Sequence, residues 1–352
     1  MTKNKHTLLR IYGFALTVST ILVAFVGIRE GIQPLITVLI LAVLEVTFSF
    51  ENAIINAKIL QKMSRGWQTL FMTVGIFIAV FVVRLLLPVL IVALATATGF
   101  KDVVQLALHD PEVYAHKLEL AQPVIAAFGG MFLYMIFADF VLQNKHVQWI
   151  KSLESKLERV GKVENASVAS ALVLLLATVA WLTPHSDQHK VLLAGIVGLV
   201  VYLLINAIDT IVSYNKMAAS TAASSTFKVG LVGFLYLELI DASFSLDGVI
   251  GAFAITSSVL FIAVGLGIGA LFVRAMTIHV LRRGVLSKYI YLDHGAHYAI
   301  GILAMVMLVS IRFEVPHYFT GGIGLVVIGT ALWQSIKESK RENNRLHLKD
   351  VV

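Results

Sequence analysis

The sequence predicts an all-α, polytopic membrane helix bundle of about ten helices, built in part from two inverted repeats. Three observations carry this. The 352 residues are 58% hydrophobic and only 14% charged, with a mean hydropathy of +0.85, whereas a soluble domain carries about 25% charged residues. Apolar runs of roughly 20 residues, the length needed to cross a bilayer, recur from end to end. An acid-rich motif embedded in one of these runs occurs a second time farther along the chain.

The runs place spans at 8–28, 34–60, 68–97, 122–142, 166–183, 189–212, 229–256, 258–281, 295–312 and 317–336. The first follows Lys3, Lys5 and Arg10 and has no small-x-small cleavage site, so it reads as a retained helix. Pro34, Pro123 and Pro184 fall near proposed helix ends, and Pro88 falls inside the third span, where it predicts a kink. With the N-terminus in the cytoplasm, twenty Lys and Arg residues lie on the cytoplasmic side and five on the other. That asymmetry supports both termini inside and a multi-pass protein of the cell (inner) membrane.

The whole chain, 1–352, reads as one membrane domain. A 98–121 segment faces outside. A cytoplasmic segment, 143–165, includes a short amphipathic stretch read as a solvated connector, and 337–352 is a polar cytoplasmic tail. The formal charge of +7 reflects orientation signals between apolar runs, so nucleic acid is not a predicted partner; the lipid bilayer is, and no protein partner is assigned. The absence of cysteine excludes disulfides and thiol chemistry. No Ser/His or H-E-x-x-H motif occurs, so no enzyme and no bound cofactor is predicted.

The repeated motif is "EVTFSFENAI", Glu45 to Ile54, and "DASFSLDGVI", Asp241 to Ile250. They align without a gap, matching Glu45 to Asp241, Ser49 to Ser245 and Glu51 to Asp247. In the helices that follow, "GIFIAVFVVR" (Gly75 to Arg84) echoes "GLGIGALFVR" (Gly265 to Arg274). Repeat 1 thus covers about 34–142 and repeat 2 about 229–312. Their first helices are the second and seventh spans, an odd difference that gives opposite orientations, as in transporters with a site at the midplane.

On helical spacing Glu45, Ser49, Asn52 and Asn56 share one face, and Glu51 stands about 100° off it. Glu45 and Glu51 act together only if the helix bends or unwinds near Ser49–Phe50. Glu238, Asp241 and Ser245 share a face in the second copy, and Gly248 beside Asp247 permits a break. Glu45, Glu51, Asp209, Glu238, Asp241 and Asp247 outnumber Arg84 and Arg274 at membrane depth, and Lys58 near a span end reaches the interface. Carboxylates there need protons or a cation. Oxygen-only ligands suit Mn²⁺, Mg²⁺ or Ca²⁺. Glu45, Ser49, Glu51, Asn52, Asp241, Ser245 and Asp247 are therefore the candidate cation ligands. Glu238, Asn56, Asp209, Arg84 and Arg274 are candidates for proton coupling or for supporting the ligands. Asp209 and Asp139 also read as ordinary acids near helix ends, and His279, His294 and His297 as surface groups at the cytoplasmic boundary.

These motifs resemble those of the TerC family within the LysE-like transporter superfamily. The first matches at Glu45, Ser49, Glu51 and Asn52. The second matches at Glu238, Asp241, Phe244 and Asp247, with an arginine in each following helix. Glu51 stands where the family has aspartate, and Gly248 and Ile250 where it has serine and proline, as in a side branch. The resemblance implies divalent metal efflux, manganese above all, with tellurium resistance as a family label. A non-transporting membrane scaffold or tellurite-resistance partner is the alternative.

Overall fold

A computed structural model describes residues 2–145, 147–218 and 222–349. Within these, the side chains of 2–7, 10, 48, 208–218, 222–229, 246–247, 287, 317–318, 320–321 and 342–349 lie outside the description. The described residues form helices and no strand. In chain order they are α1 (Thr2–Arg29), α2 (Ile32–Phe48), α3 (Phe50–Gln61), α4 (Arg65–Phe77), a π-helix (Ile78–Leu86) continuing into α5 (Leu87–Ala95), α6 (Phe100–His109), α7 (Pro111–Leu142), α8 (Lys151–Val160), and α9 (Ala166–Ala177) with a second π-helix (Thr178–Leu182). Then come α10 (Gln188–Ala218), α11 (Ala222–Phe253), α12 (Val259–Arg282), α13 (Val285–Lys288), α14 (Leu292–Val309) and α15 (His317–Lys349).

A helix occupies every predicted span. Six helices among the described residues are long and apolar enough to cross a membrane, or seven if the bent pair α2–α3 counts as one span. The chain is thus a multi-pass helical membrane protein. Large apolar side chains on the outer faces, such as Phe14, Ile28, Val173 and Trp181, stay exposed, as lipid contact requires. α9 with its π-helix forms a shorter apolar segment. α11 and α15 are also long helices.

Two elements differ from the sequence reading. The 98–121 segment is helical, because α6 and the first turns of α7 fill it. Pro123 therefore lies inside α7 and does not start it. Pro88 does distort its span, through a π-helix that ends just before it. A proline ring clashes with the carbonyl four residues back, here Arg84, and the wider turn relieves that clash. The second π-helix likewise precedes Pro184. In both, the side chain of a residue donates to the carbonyl five residues earlier, Arg84 to Ala79 and Thr183 to Thr178.

Where no water squeezes helices together, close packing needs small residues. α10 meets the long α7 at Gly198, where an added Cβ would collide with the Phe128 carbonyl. α12 meets α2 at Gly269, whose missing Cβ leaves room for the Glu45 side chain. The interior around α7 is filled by Met131, Phe132, Leu133 and Met135, all fully buried.

The helices that carry the two motifs interlock with those that follow them. α12, which follows the second motif, packs along α2, and the π-helix, which follows the first, packs on α11.

Candidate functional site

The chain does break where Glu45 and Glu51 needed it to. α2 ends at Phe48, α3 begins at Phe50, and the axes bend by 51°. Ser49 adopts φ −103° and ψ 19°, outside regular helix geometry. Its hydroxyl donates to Glu45 Oε1 at 3.0 Å, so the hinge residue is tied to the first acid. α11 carries no matching break, since it is continuous through Gly248 to Phe253.

Three of the acids are held by the arginines. Arg84 Nη2 donates to Glu45 Oε1 at 2.5 Å, and its Nη1 donates to the Ala79 carbonyl at 2.9 Å. Arg274 Nη2 reaches Asp241 Oδ2 at 3.1 Å and Glu238 Oε1 at 3.2 Å. Its Nη1 donates to the Phe71 carbonyl at 2.8 Å, and the guanidinium lies 3.9 Å from the Phe71 ring centre. The acid that opens each motif thus pairs with an arginine that follows it in the chain, Glu45 with Arg84 and Asp241 with Arg274. Asn52 Nδ2 donates to Asp241 Oδ1 at 2.5 Å, which joins the first motif to the second.

The rest of the site is unsatisfied. Glu51, Asn52, Asn56 and Ser245 are 4%, 2%, 1% and 3% exposed. Glu51 Oε2, Asn52 Oδ1, both polar atoms of Asn56, and Ser245 Oγ find no hydrogen-bond partner among the described residues. Buried polar atoms are paired in the great majority of cases. Glu51 faces Gly324 of α15, whose Cβ position lies 3.4 Å from Oε2. Glu45 Oε2 lies 3.3 Å from the Cβ position of Gly248, next to Asp247. The side chains of Asp247 and Asp209 lie outside the described residues. Among those described, no three His, Asp or Glu side chains come together as a metal-holding group. Any cation here would be met by Glu51 with amide and hydroxyl oxygens. Around the motifs four buried carboxylates, Glu45, Glu51, Glu238 and Asp241, face two guanidinium groups.

A second polar cluster went unread in the sequence. His294 and His297, expected at the surface, are buried at 4% and 6% exposure. His297 stacks on Phe140 with ring centres 3.6 Å apart, and its Nδ1 lies 3.3 Å from Asp293 Oδ1. His279 is only half-buried. Lys58 pairs with Asp293 at 2.8 Å. Lys145 Nζ sits 3.5 Å from the Phe140 ring centre. Burial pushes its ammonium below the usual lysine range, opposed by Glu154 and Asp293. α8 is no solvated connector: Glu154 is fully buried. It accepts from the Trp149 and Ile150 amides at 3.1 and 3.3 Å and from the Tyr298 hydroxyl at 3.2 Å. Asp139 accepts from the Tyr202 hydroxyl at 2.6 Å and from Asn206 Nδ2 at 3.3 Å. The histidine spacing His294-x-x-His297 on one helix was the available signal, but what covers it comes from 150 residues away.

Fold and site together define a polytopic helical membrane protein with a buried, partly unpaired acid–amide cluster where two related motifs meet. The chain belongs to the family described as "Protein of unknown function (DUF475)", which it matches over residues 50–342. No curated protein and no solved structure matches it.

Proposed function

We propose that this protein is a divalent-cation transporter of the cell membrane, moving Mn²⁺ by alternating access, most naturally outward. The observation that carries the reading is the set of buried oxygens on Glu51, Asn52, Asn56 and Ser245 that have no partner among the described residues. Each such group costs about 1–3 kcal/mol if left alone. Four carboxylates against two guanidiniums also leave two negative charges to be met by protons or a cation. One hard divalent ion answers both demands with oxygen ligands.

In this reading Glu51, Asn52 and Ser245 bind the ion with Asp247. Glu45, Ser49 and Asp241 join them when Arg84 and Arg274 give way. Glu238 carries a coupling proton, and Asn56 and Asp209 support the path. The reciprocal packing of the repeats and the matched pairs Glu45–Arg84 and Asp241–Arg274 support an inverted-repeat bundle of ten spans with both termini cytoplasmic. The resemblance to TerC proteins favours manganese over Mg²⁺ or Ca²⁺. The test is Mn²⁺ flux into liposomes holding the purified protein. We expect flux from the wild type and at least about tenfold less from Glu51→Gln. A wild type without flux overturns the reading.

One observation favours a second reading, a non-transporting membrane scaffold or tellurite-resistance partner. Glu45, Glu238 and Asp241 already pair with arginine, as in a bundle locked for structure. Absent flux together with unchanged stability on adding metal would select it.

A further inference from the structure

Two cavities lie at opposite ends of the same pair of helices. One, of about 210 Å³, is walled by Ile55 and Lys58 of α3, Lys62 just past its end, Asp139 of α7 and His297 of α14. The other, of about 560 Å³, is walled by Ile250 of α11, Ala254 just past its end, Glu119 of α7, and Ser310 and Glu314 at and beyond the end of α14. Glu119 and Asp139 are 20 residues apart on one helix, which at 1.5 Å per residue is about 30 Å, the thickness of a bilayer core. The cavities therefore open toward opposite membrane faces.

Each also ends beside one copy of the motif. Along α3 and its C-cap Lys62, the residues Glu51, Ile55, Lys58 and Lys62 follow i, i+4, i+7 and i+11 and share one face. Three of these line the smaller cavity, so it stops one helical turn, about 6 Å, from Glu51. On α11 the larger cavity begins at Ile250, one turn beyond Asp247. Ile250 aligns with Ile54, and Ala254 with Lys58, so matched stretches of the two repeats wall the two cavities. The charge differs. The described lining of the larger cavity has Glu119 and Glu314 and no basic group, whereas Lys58 and Lys62 offset Asp139 in the smaller one.

We propose that these cavities are the two vestibules of one cation path, and that the acidic one, by Glu119 and Glu314, is the extracytoplasmic mouth that holds hydrated divalent cations. The Lys58–Asp293 pair closes the inner mouth by fastening α3 to α14. The proposal rests on the transport reading, yet its test does not need flux.

The natural sequence has no cysteine, so single cysteines report without background. Ile59→Cys and Ala254→Cys are made in the full chain, with Gln143→Cys and Ala115→Cys as second choices if either fails to insert. Val173→Cys on the lipid face is the control. Membrane-impermeant cationic and anionic methanethiosulfonates are applied to sealed right-side-out and inverted vesicles. We expect Ile59→Cys to react from the cytoplasmic face alone and Ala254→Cys from the other alone, each at least about tenfold faster than Val173→Cys. At Ala254→Cys the cationic reagent is preferred about tenfold over the anionic one, relative to a free thiol. Glu119→Gln with Glu314→Gln brings that preference close to one. Labelling no faster than the control, or from a single face, overturns the vestibules. A charge preference that survives the double substitution overturns the acidic mouth. Correct labelling in a protein without Mn²⁺ flux leaves the vestibules standing and removes only the transport reading.

Discussion

Arg274 and Asp241 stand 3.1 Å apart in the second half of the chain, as Arg84 and Glu45 do at 2.5 Å in the first. In each half the acid belongs to the motif and the arginine to the next membrane helix of the repeat. Breaking a buried pair strands a charge and costs about 3–5 kcal/mol, while removing both partners costs far less. Arg84→Met is therefore expected to lower the melting temperature in detergent sharply. Arg84→Met with Glu45→Gln should recover most of the loss. A double variant no more stable than Arg84→Met would show that the pair is not what Arg84 supplies.

Glu51 should behave in the opposite way. Among the described residues it takes part in no ion pair, and its Oε2 has no partner. Glu51→Gln should leave the melting temperature within a few degrees of wild type and remove the protection against heating that the proposed Mn²⁺ binding predicts. Stability that falls without any change in metal protection would place Glu51 in the scaffold.

Gly269 is where α12 passes the first acid. The Glu45 side chain already fills the space of an added Cβ, and the Ala42 carbonyl lies 3.1 Å from it. Gly269→Ala is expected to cost about 1–3 kcal/mol by overpacking and to pull Glu45 off Arg84. Gly329→Ala, which meets nothing within 4 Å, is the matched control. Equal melting temperatures for the two would refute the close approach.

Glu154 pins α8 to the bundle. Hydrogen bonds to a charged group are worth about 1.5–3 kcal/mol each, and Glu154→Ala loses several at once. Limited proteolysis should then cut within 143–165 at least about tenfold faster, because local opening sets the rate. Glu154→Gln, which keeps acceptor capacity, should fall between. Unchanged cleavage would mean that apolar packing alone holds α8.

The helices were legible because lipid demands long apolar runs, and each of the ten runs is helical. The bend at Ser49 was legible only as a condition for Glu45 and Glu51 to act together. Glu45 and Glu51 lie six residues apart, and a regular helix cannot bring both to one ion. The missing break in α11 was not, because Gly248 permits a break without requiring one. His294 and His297 were misjudged for a different reason. Local hydropathy puts them near a span end, and only the return of α8 and Lys145 covers them. The π-helices left no pattern either, although a proline follows each. The unpaired side-chain amide of Asn56 could not be read at all, since a lone sequence shows which groups are polar and never which ones find partners.

The π-helix from Ile78 to Leu86 has a mechanical meaning of its own. A π turn holds about one residue more than an α turn, so this segment stores one residue of slack directly beneath Arg84. Tightening that turn into α geometry would rotate the guanidinium by about 100° and carry it off Glu45. The helix is therefore built like a winding key: a turn of one residue lifts the fixed cation and bares the carboxylate beneath it.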